Sequence, residues 1–327
     1  MGPIRFAVVG TNTISDRFAE ATRLSDLDAS RIVAVCSREE ETAQRFAARH
    51  GILKTYTDYE KMLSSDEIDA VYIATPNFTH KRFVLEALRA KKHVLCEKII
   101  GQSTEELDEM MEAAASHGCV LLEAMRPDFD PMIEAFRTAL SMVGRLRRAS
   151  FEYCQYSSRY DKFLSGEVLR AFDPKIGNCA LADIGIYPLH LCVSLFGLPR
   201  SVSSRSVFLE NGFEGIGTAT LDYTDRGFLA SVTYSKITES ASPTVIEGEL
   251  GSLLLDKINE PHRITFVPRK GEPVVLATAN EENNMVYEIE AFAKMVKGKM
   301  EHAPYLSITH DTMRVFDMIK KESNIRI

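Results

Sequence analysis

Ile4-Arg5-Phe6-Ala7-Val8-Val9-Gly10-Thr11-Asn12-Thr13-Ile14-Ser15 is the stretch that decides the fold class. Ile4–Val9 is a short, mostly apolar run that stops at Gly10, the pattern of a parallel strand buried on both faces. Helical spacing follows from about Ile14 to Leu24. Moving outward, Arg31–Cys36 reads as the next strand and Glu39–Arg49 as a helix stopped by Gly51. Ala70–Ala74 and His93–Cys96 read as strands, with a helix over Thr79–Ala90 between them. Ser103 caps a helix over Thr104–Ser116 that ends at Gly118, and Cys119–Glu123 is a further strand. Strands alternating with helices of this length mean βαβ units and a doubly wound parallel sheet, a Rossmann domain over residues 1–123.

The pattern changes beyond Arg126-Pro127. A helix over Asp130–Ser141 and a strand over Arg148–Tyr156 precede an aperiodic loop, Gly166–Asn178. Ile184–Phe196 is helical, and strand-sized segments then follow one another across residues 201–278, among them Gly217–Tyr223, Gly227–Tyr234, Thr244–Glu249 and Ser252–Asp256. Strands without helices between them predict an α+β domain, residues 124–327, on a large open and mostly antiparallel sheet. Met285–Val296 and Ile308–Lys320 are closing helices, the last expected to pack back on the first domain.

Composition narrows the function. Across 327 residues, 39 Lys and Arg against 46 Asp and Glu give a net charge of −7, which argues against a nucleic-acid partner. No run approaches the ~18 apolar residues of a membrane span. The six cysteines, Cys36, Cys96, Cys119, Cys154, Cys179 and Cys192, are scattered without a C-x-x-C pair, as expected of reduced thiols in a cytoplasmic protein. His, Asp and Glu are too dispersed to predict a metal site.

Gly10 permits the tight bend of a dinucleotide-binding turn, and the amides of Thr11, Asn12, Thr13 and Ile14 lead into a helix start suited to a pyrophosphate. Asn12 and Ser15 stand where that fingerprint has its second and third glycines, so an ordinary strand–helix turn reads the same from these residues alone. The second strand ends in Ser37-Arg38, where an acidic residue would grip the 2′-hydroxyl of NAD. A hydroxyl beside an arginine suits the 2′-phosphate of NADP instead, so NADP is expected and NAD remains the alternative.

Three segments then stand in register: Ala74-Thr75-Pro76-Asn77-Phe78-Thr79-His80, Cys96-Glu97-Lys98-Ile99, and Asp183-Ile184-Gly185-Ile186-Tyr187-Pro188-Leu189-His190. In this order and spacing the chain resembles the glucose–fructose oxidoreductase, inositol dehydrogenase and MocA family, from Ile4 to about residue 300, and most closely its dihydrodiol-dehydrogenase-like branch. The resemblance implies an NAD(P)-dependent oxidoreductase that moves a hydride between nicotinamide and a carbonyl or hydroxyl of a sugar, polyol or dihydrodiol. It implies an active site between the domains and a homo-oligomer formed through the C-terminal sheet. Thr75, Pro76, Asn77 and His80 would border the nicotinamide. Glu97-Lys98 match the family's E-K-P motif, and Asp183, Gly185 and Tyr187 match D-x-G-x-Y.

Lys98 would steady negative charge on the reacting oxygen, and Tyr187 would supply its proton. Asp183 would bind substrate hydroxyls or orient Lys98. His190 would bind substrate or relay a proton, with a hydrogen-bonded core histidine the equal alternative, and Arg126 would reach the cofactor or hold the domain junction. Ile99 replaces a proline often cis in the family. A non-catalytic nucleotide-binding sensor of the same fold is the alternative that Ile99 and Asn12 leave open, and self-recycling of a held cofactor on a sugar reads the same from sequence.

Overall fold

A computed structural model describes residues 2–26, 29–167, 169–279 and 283–327, so that Val168 of the predicted loop lies outside the described residues. The chain divides into two compact units, Met1–Phe129 with Glu282–Ser307 and Asp130–Glu281 with Ile308–Ile327. The divide therefore falls later than the expected boundary at 123/124. Arg126 explains the difference, since its Nη1 donates to Asn284 Oδ1 at 3.1 Å, and Phe129 packs on Tyr305 with ring centroids 4.8 Å apart. The segment that returns to the first unit is the one around Asn284, whereas residues 308–320 stay with the second.

In the first unit, β1 (Ile4–Val9), α1 (Thr13–Leu24), β2 (Ser30–Cys36), α2 (Glu40–His50), β3 (Lys54–Tyr56), α3 (Tyr59–Leu63), β4 (Ala70–Ile73), α4 (His80–Arg89), β5 (His93–Glu97), α5 (Thr104–His117) and β6 (Leu121–Ala124) follow in order. The strands form one parallel six-stranded sheet, β3-β2-β1-β4-β5-β6. This is the doubly wound order whose reversal between β1 and β4 opens a ligand crevice at the strands' carboxyl ends. Its core is aromatic: Phe18 stacks on Tyr72 at 3.7 Å, and Phe6 meets Phe18 edge-on at 5.3 Å. Burying each such ring contributes roughly 1.5–3 kcal/mol.

The second unit carries α6 (Pro131–Ala139), β7 (Leu146–Cys154), α7 (Tyr160–Leu164), a π-helical turn at Leu181–Gly185 running into α8 (Ile186–Phe196), and then β8 (Val202–Phe208), β9 (Glu214–Tyr223), β10 (Phe228–Ser235), β11 (Thr244–Gly248), β12 (Gly251–Leu255), β13 (Arg263–Pro268) and β14 (Val274–Thr278). These strands make an eight-stranded sheet, β14-β13-β12-β11-β7-β10-β9-β8. Within it only β7 and β10 run parallel, so the sheet is mostly antiparallel as expected. One face is apolar and buried, with Phe151, Val232, Tyr234, Ala219 and Leu221 inward. The chain closes with α9 (Met285–Val296) and α10 (Ala303–Ser323). No helix among the described residues is long and apolar enough to cross a membrane.

Candidate active site

The nucleotide turn is built by steric exclusion. Gly10 has φ +100°, and a Cβ there would sit 2.5 Å from the carbonyl oxygen of Ala74, so only glycine lets β1 leave the sheet so close to β4. Asn12 caps α1: its Oδ1 accepts from Ser15 N at 3.1 Å, and its Nδ2 donates to Ala74 O at 2.9 Å. Its side chain thus holds backbone on both sides, fastening the turn to the end of β4. The helix start ahead of Ser15 keeps the open amides and positive dipole end that suit a phosphate. Ser37 follows β2 with its N–H on Tyr56 O at 3.1 Å, and Arg38 is exposed beside it. A glycine turn without a side chain, a capped helix start behind it and an exposed arginine at the end of β2 are the features that suit a dinucleotide.

His80 holds two loops together. It is fully buried, with Nδ1 2.8 Å from Ile99 O and Nε2 2.8 Å from Thr75 O, so it ties the loop after β4 to the loop after β5. Burial pushes its pKa down, against the pull of those two carbonyls and with the help of Lys98. Thr75 also accepts from the Thr79 hydroxyl at 2.7 Å, while Thr75, Pro76 and Asn77 keep part of their surface open.

The turn carrying Lys98 is held from below. The Lys98–Ile99 peptide is cis although the residue is isoleucine, so the departure from E-K-P leaves the cis peptide in place. Glu123 on β6, which sequence reasoning missed, accepts from Ile100 N at 3.0 Å and is buried. Glu97 points into the core rather than toward a ligand, and its Oε1 accepts from the Tyr72 hydroxyl at 2.5 Å. Burial pushes the Glu97 pKa up, against the pull of Tyr72, Lys98 and Arg126. Arg126 is buried, and its bond to Asn284 braces the turn after β6 against the start of α9. Lys98 itself is half-buried at the carboxyl end of β5.

Another buried carboxyl lies nearby. Glu288 on α9 is 0% exposed, and neither of its oxygens has a hydrogen-bond partner among the described residues. Burial, reinforced by Glu97 and opposed by Arg126 and Arg17, raises its pKa well above the carboxylate range. A raised folded-state pKa gives stability that is full below the unfolded value and is lost as pH rises through the folded one. Glu288→Gln is therefore expected to melt above the wild type at about pH 9 and to match it near pH 5. Melting curves at the two pH values check this, and a gap that does not widen with pH would refute it.

In the second unit, Asp183 and Tyr187 sit on the π-helical turn and the first turn of α8. Three contacts build that corner. Glu214 Oε2, buried at the head of β9, accepts from Leu181 N at 2.9 Å. Cys179 Sγ accepts from Ala182 N at 3.3 Å. Gly185 lies flat on Tyr234, where a Cβ would be 2.7 Å from the ring. Tyr187 meets Tyr153 edge-on, ring centroids 5.8 Å apart. Asp183 Oδ2 is 2.6 Å from Lys236 Nζ, a partner sequence reasoning did not name. Of the two readings of His190, the structure places it as the core histidine. It is 1% exposed with Nδ1 3.3 Å from the Thr312 hydroxyl on α10, an interior histidine rather than one open to substrate. Among the described residues no group of three or more His, Cys, Asp or Glu is placed to hold a metal.

Known proteins match this architecture along its length. The family model described as "Oxidoreductase family, NAD-binding Rossmann fold" matches residues 4–125, and the GFO/IDH/MocA C-terminal domain matches residues 140–254. The chain is 42% identical over 294 residues to scyllo-inositol 2-dehydrogenase (NADP(+)) IolU of Bacillus subtilis, covering 90% of this chain and 88% of that one. It is 28% identical over 321 residues to trans-1,2-dihydrobenzene-1,2-diol dehydrogenase of Sus scrofa, covering 95% and 93%. Among solved structures, the 3-ketoreductase KijD10 of Actinomadura kijaniata, in complex with NADP and TDP-benzene, superimposes with a TM-score of 0.86 at 22% identity over 98% of both chains. That likeness is one of fold.

Proposed function

This chain belongs to the GFO/IDH/MocA oxidoreductase family, and from that premise we propose that it is an NADP-dependent dehydrogenase of a small polyol of the inositol class. The observation that carries the reading is the placement of Lys98. It stands at the carboxyl end of β5, in a turn gripped by His80 and Glu123, on the same sheet edge as the Gly10 nucleotide turn. The identity to an NADP-dependent inositol dehydrogenase over nine-tenths of the chain supports the substrate class.

Gly10 and the first amides of α1 hold the pyrophosphate, Ser37 and Arg38 the 2′-phosphate, and Thr75 to Asn77 flank the nicotinamide. NADP, when bound, supplies the hydride acceptor for the alcohol carbon. Lys98 places a positive charge at the reacting oxygen, Tyr187 exchanges a proton with that oxygen (its phenolate receiving it as the alcohol is oxidised, its phenol returning it as the carbonyl is reduced), and Asp183 accepts from the neighbouring hydroxyls. His80, Glu97 and Arg126 act as braces, and His190 packs the interior. We assign the protein to the cytoplasm on its six free cysteines. We also seat a second copy on the outward face of the large sheet, where Leu229, Ser150, Ser231 and Thr218 lie open or half-open; light scattering that gives a monomer overturns that part.

The test is NADPH formation on a panel of inositols, monosaccharides and dihydrodiols. Turnover of at least one inositol is expected. Tight NADP binding with no turnover in either direction across the panel overturns the enzyme reading in favour of a sensor. In the same assay Arg38→Asp is expected to weaken NADP by about 30-fold, the loss of a charge-assisted phosphate contact, with little change for NAD. Equal losses for both nucleotides would place the 2′-phosphate elsewhere.

A further inference from the structure

Lys236 follows β10 and is fixed on both sides of its backbone, its N–H donating to Gly215 O at 2.9 Å and its carbonyl accepting from Ser157 N at 3.0 Å. Its side chain turns inward and is only 5% exposed. The ammonium lies 2.6 Å from Asp183 Oδ2 and donates to Ala171 O at 2.9 Å. It also lies 4.9 Å from the ring centre of Phe172 and 5.2 Å from that of Phe213. Asp183, in contrast, keeps 38% of its side chain exposed. The pair is therefore buried at its cation and open at its anion. A surface ion pair contributes little, whereas an ammonium this enclosed needs its partners. The ammonium also reaches the chain on either side of the motif. Ala171 O accepts from Asn178 Nδ2 at 3.2 Å as well, and Phe172 O accepts from Asn211 Nδ2 at 2.7 Å, so the 170–172 turn is stapled to the sheet beside Asp183.

We propose that Lys236 is a positioning residue for the substrate: it locks Asp183 as an outward-facing carboxylate and ties the 170–172 turn to it, so that Asp183 accepts hydrogen bonds from the non-reacting hydroxyls of a polyol. The inference rests on the dehydrogenase reading above and adds to it the residue that sets substrate affinity. Lys236 acts through Asp183 and leaves cofactor binding alone.

A four-protein cycle tests it: wild type, Lys236→Met, Asp183→Asn and the double variant, with Lys236→Gln prepared should the methionine variant not fold. At saturating NADP, Lys236→Met is expected to raise KM for the polyol by about 30-fold, the scale of a lost charge-assisted bond, with kcat within about threefold. The NADP Kd is expected to stay unchanged. In the Asp183→Asn background the same change is expected to move KM by less than about twofold, because the partner it acts through is gone. A KM effect of equal size in both backgrounds, or no KM effect in either, overturns the inference. Melting temperatures of the same four proteins, without substrate, report the pair alone; less-than-additive losses are expected, and additive ones overturn the pairing. A wild type that turns over no polyol overturns the dehydrogenase reading and the positioning role with it. Turnover with independent effects overturns the positioning role alone.

Discussion

Lys98→Met is expected to bind NADP as the wild type does and to lose a factor of about 10³ or more in kcat, the scale of removing a donor aimed at developing negative charge. The substitution keeps an unbranched apolar stem of similar length, so the half-buried stem still packs. The turn around it is held by groups other than the Lys98 side chain: Ile99 O on His80, Ile100 N on Glu123, and Glu97 on Tyr72. What is lost is the ammonium, with its charge and its donors. Stopped-flow or steady-state NADPH formation on an inositol measures kcat, and quenching of NADPH fluorescence measures binding. A variant with kcat within about tenfold of the wild type would remove Lys98 from the chemistry, since a displaced charge would leave at least that large a gap.

How much of this was legible beforehand depends on the range of the interaction. β1 and its turn were readable because their signals are local: an apolar run, then a glycine whose φ and crowding forbid any side chain. The Lys98 turn was readable as a motif, yet its supports were not. Glu123 and His80 reach it from a different strand and a different helix, and sequence spacing carries no record of a contact across a parallel sheet. Histidine in a motif read as a cofactor neighbour, but the start of α4 turns it under the loops, where two carbonyls claim its ring.

Lys236 and Glu288 did leave a trace. Val232 and Tyr234 face inward on β10, and two-residue parity puts Lys236 on the same side, a lysine where an apolar residue is expected. Met285, Ile289 and Phe292 form the buried stripe of α9, and Glu288 falls on it at i+3. Charged residues on a buried parity are the signal that was available and unused. The contact-based divide is not legible for a related reason: the first unit is completed by a segment from far down the chain.

Tyr187→Phe separates proton transfer from packing. The ring that meets Tyr153 edge-on at 5.8 Å survives the change, so its packing is kept, and with NADP held as proposed by residues of the first unit its affinity should not move. Only the hydroxyl goes. If that oxygen takes the alcohol proton while Lys98 steadies the charge, kcat should fall by about 10²–10⁴, the range of a positioned acid or base, with KM little changed. The two variants then distinguish their roles. Lys98→Met removes charge stabilisation, and no added base restores it. Tyr187→Phe removes a proton acceptor, and a small external amine that can enter the crevice should recover part of the rate. Full wild-type kcat in Tyr187→Phe would send the proton elsewhere, to Asp183 or to water, and the Asp183 carboxylate would then have to be free to take it rather than held by Lys236. That alternative is testable in the same assay, because Asp183→Asn would cost kcat instead of KM.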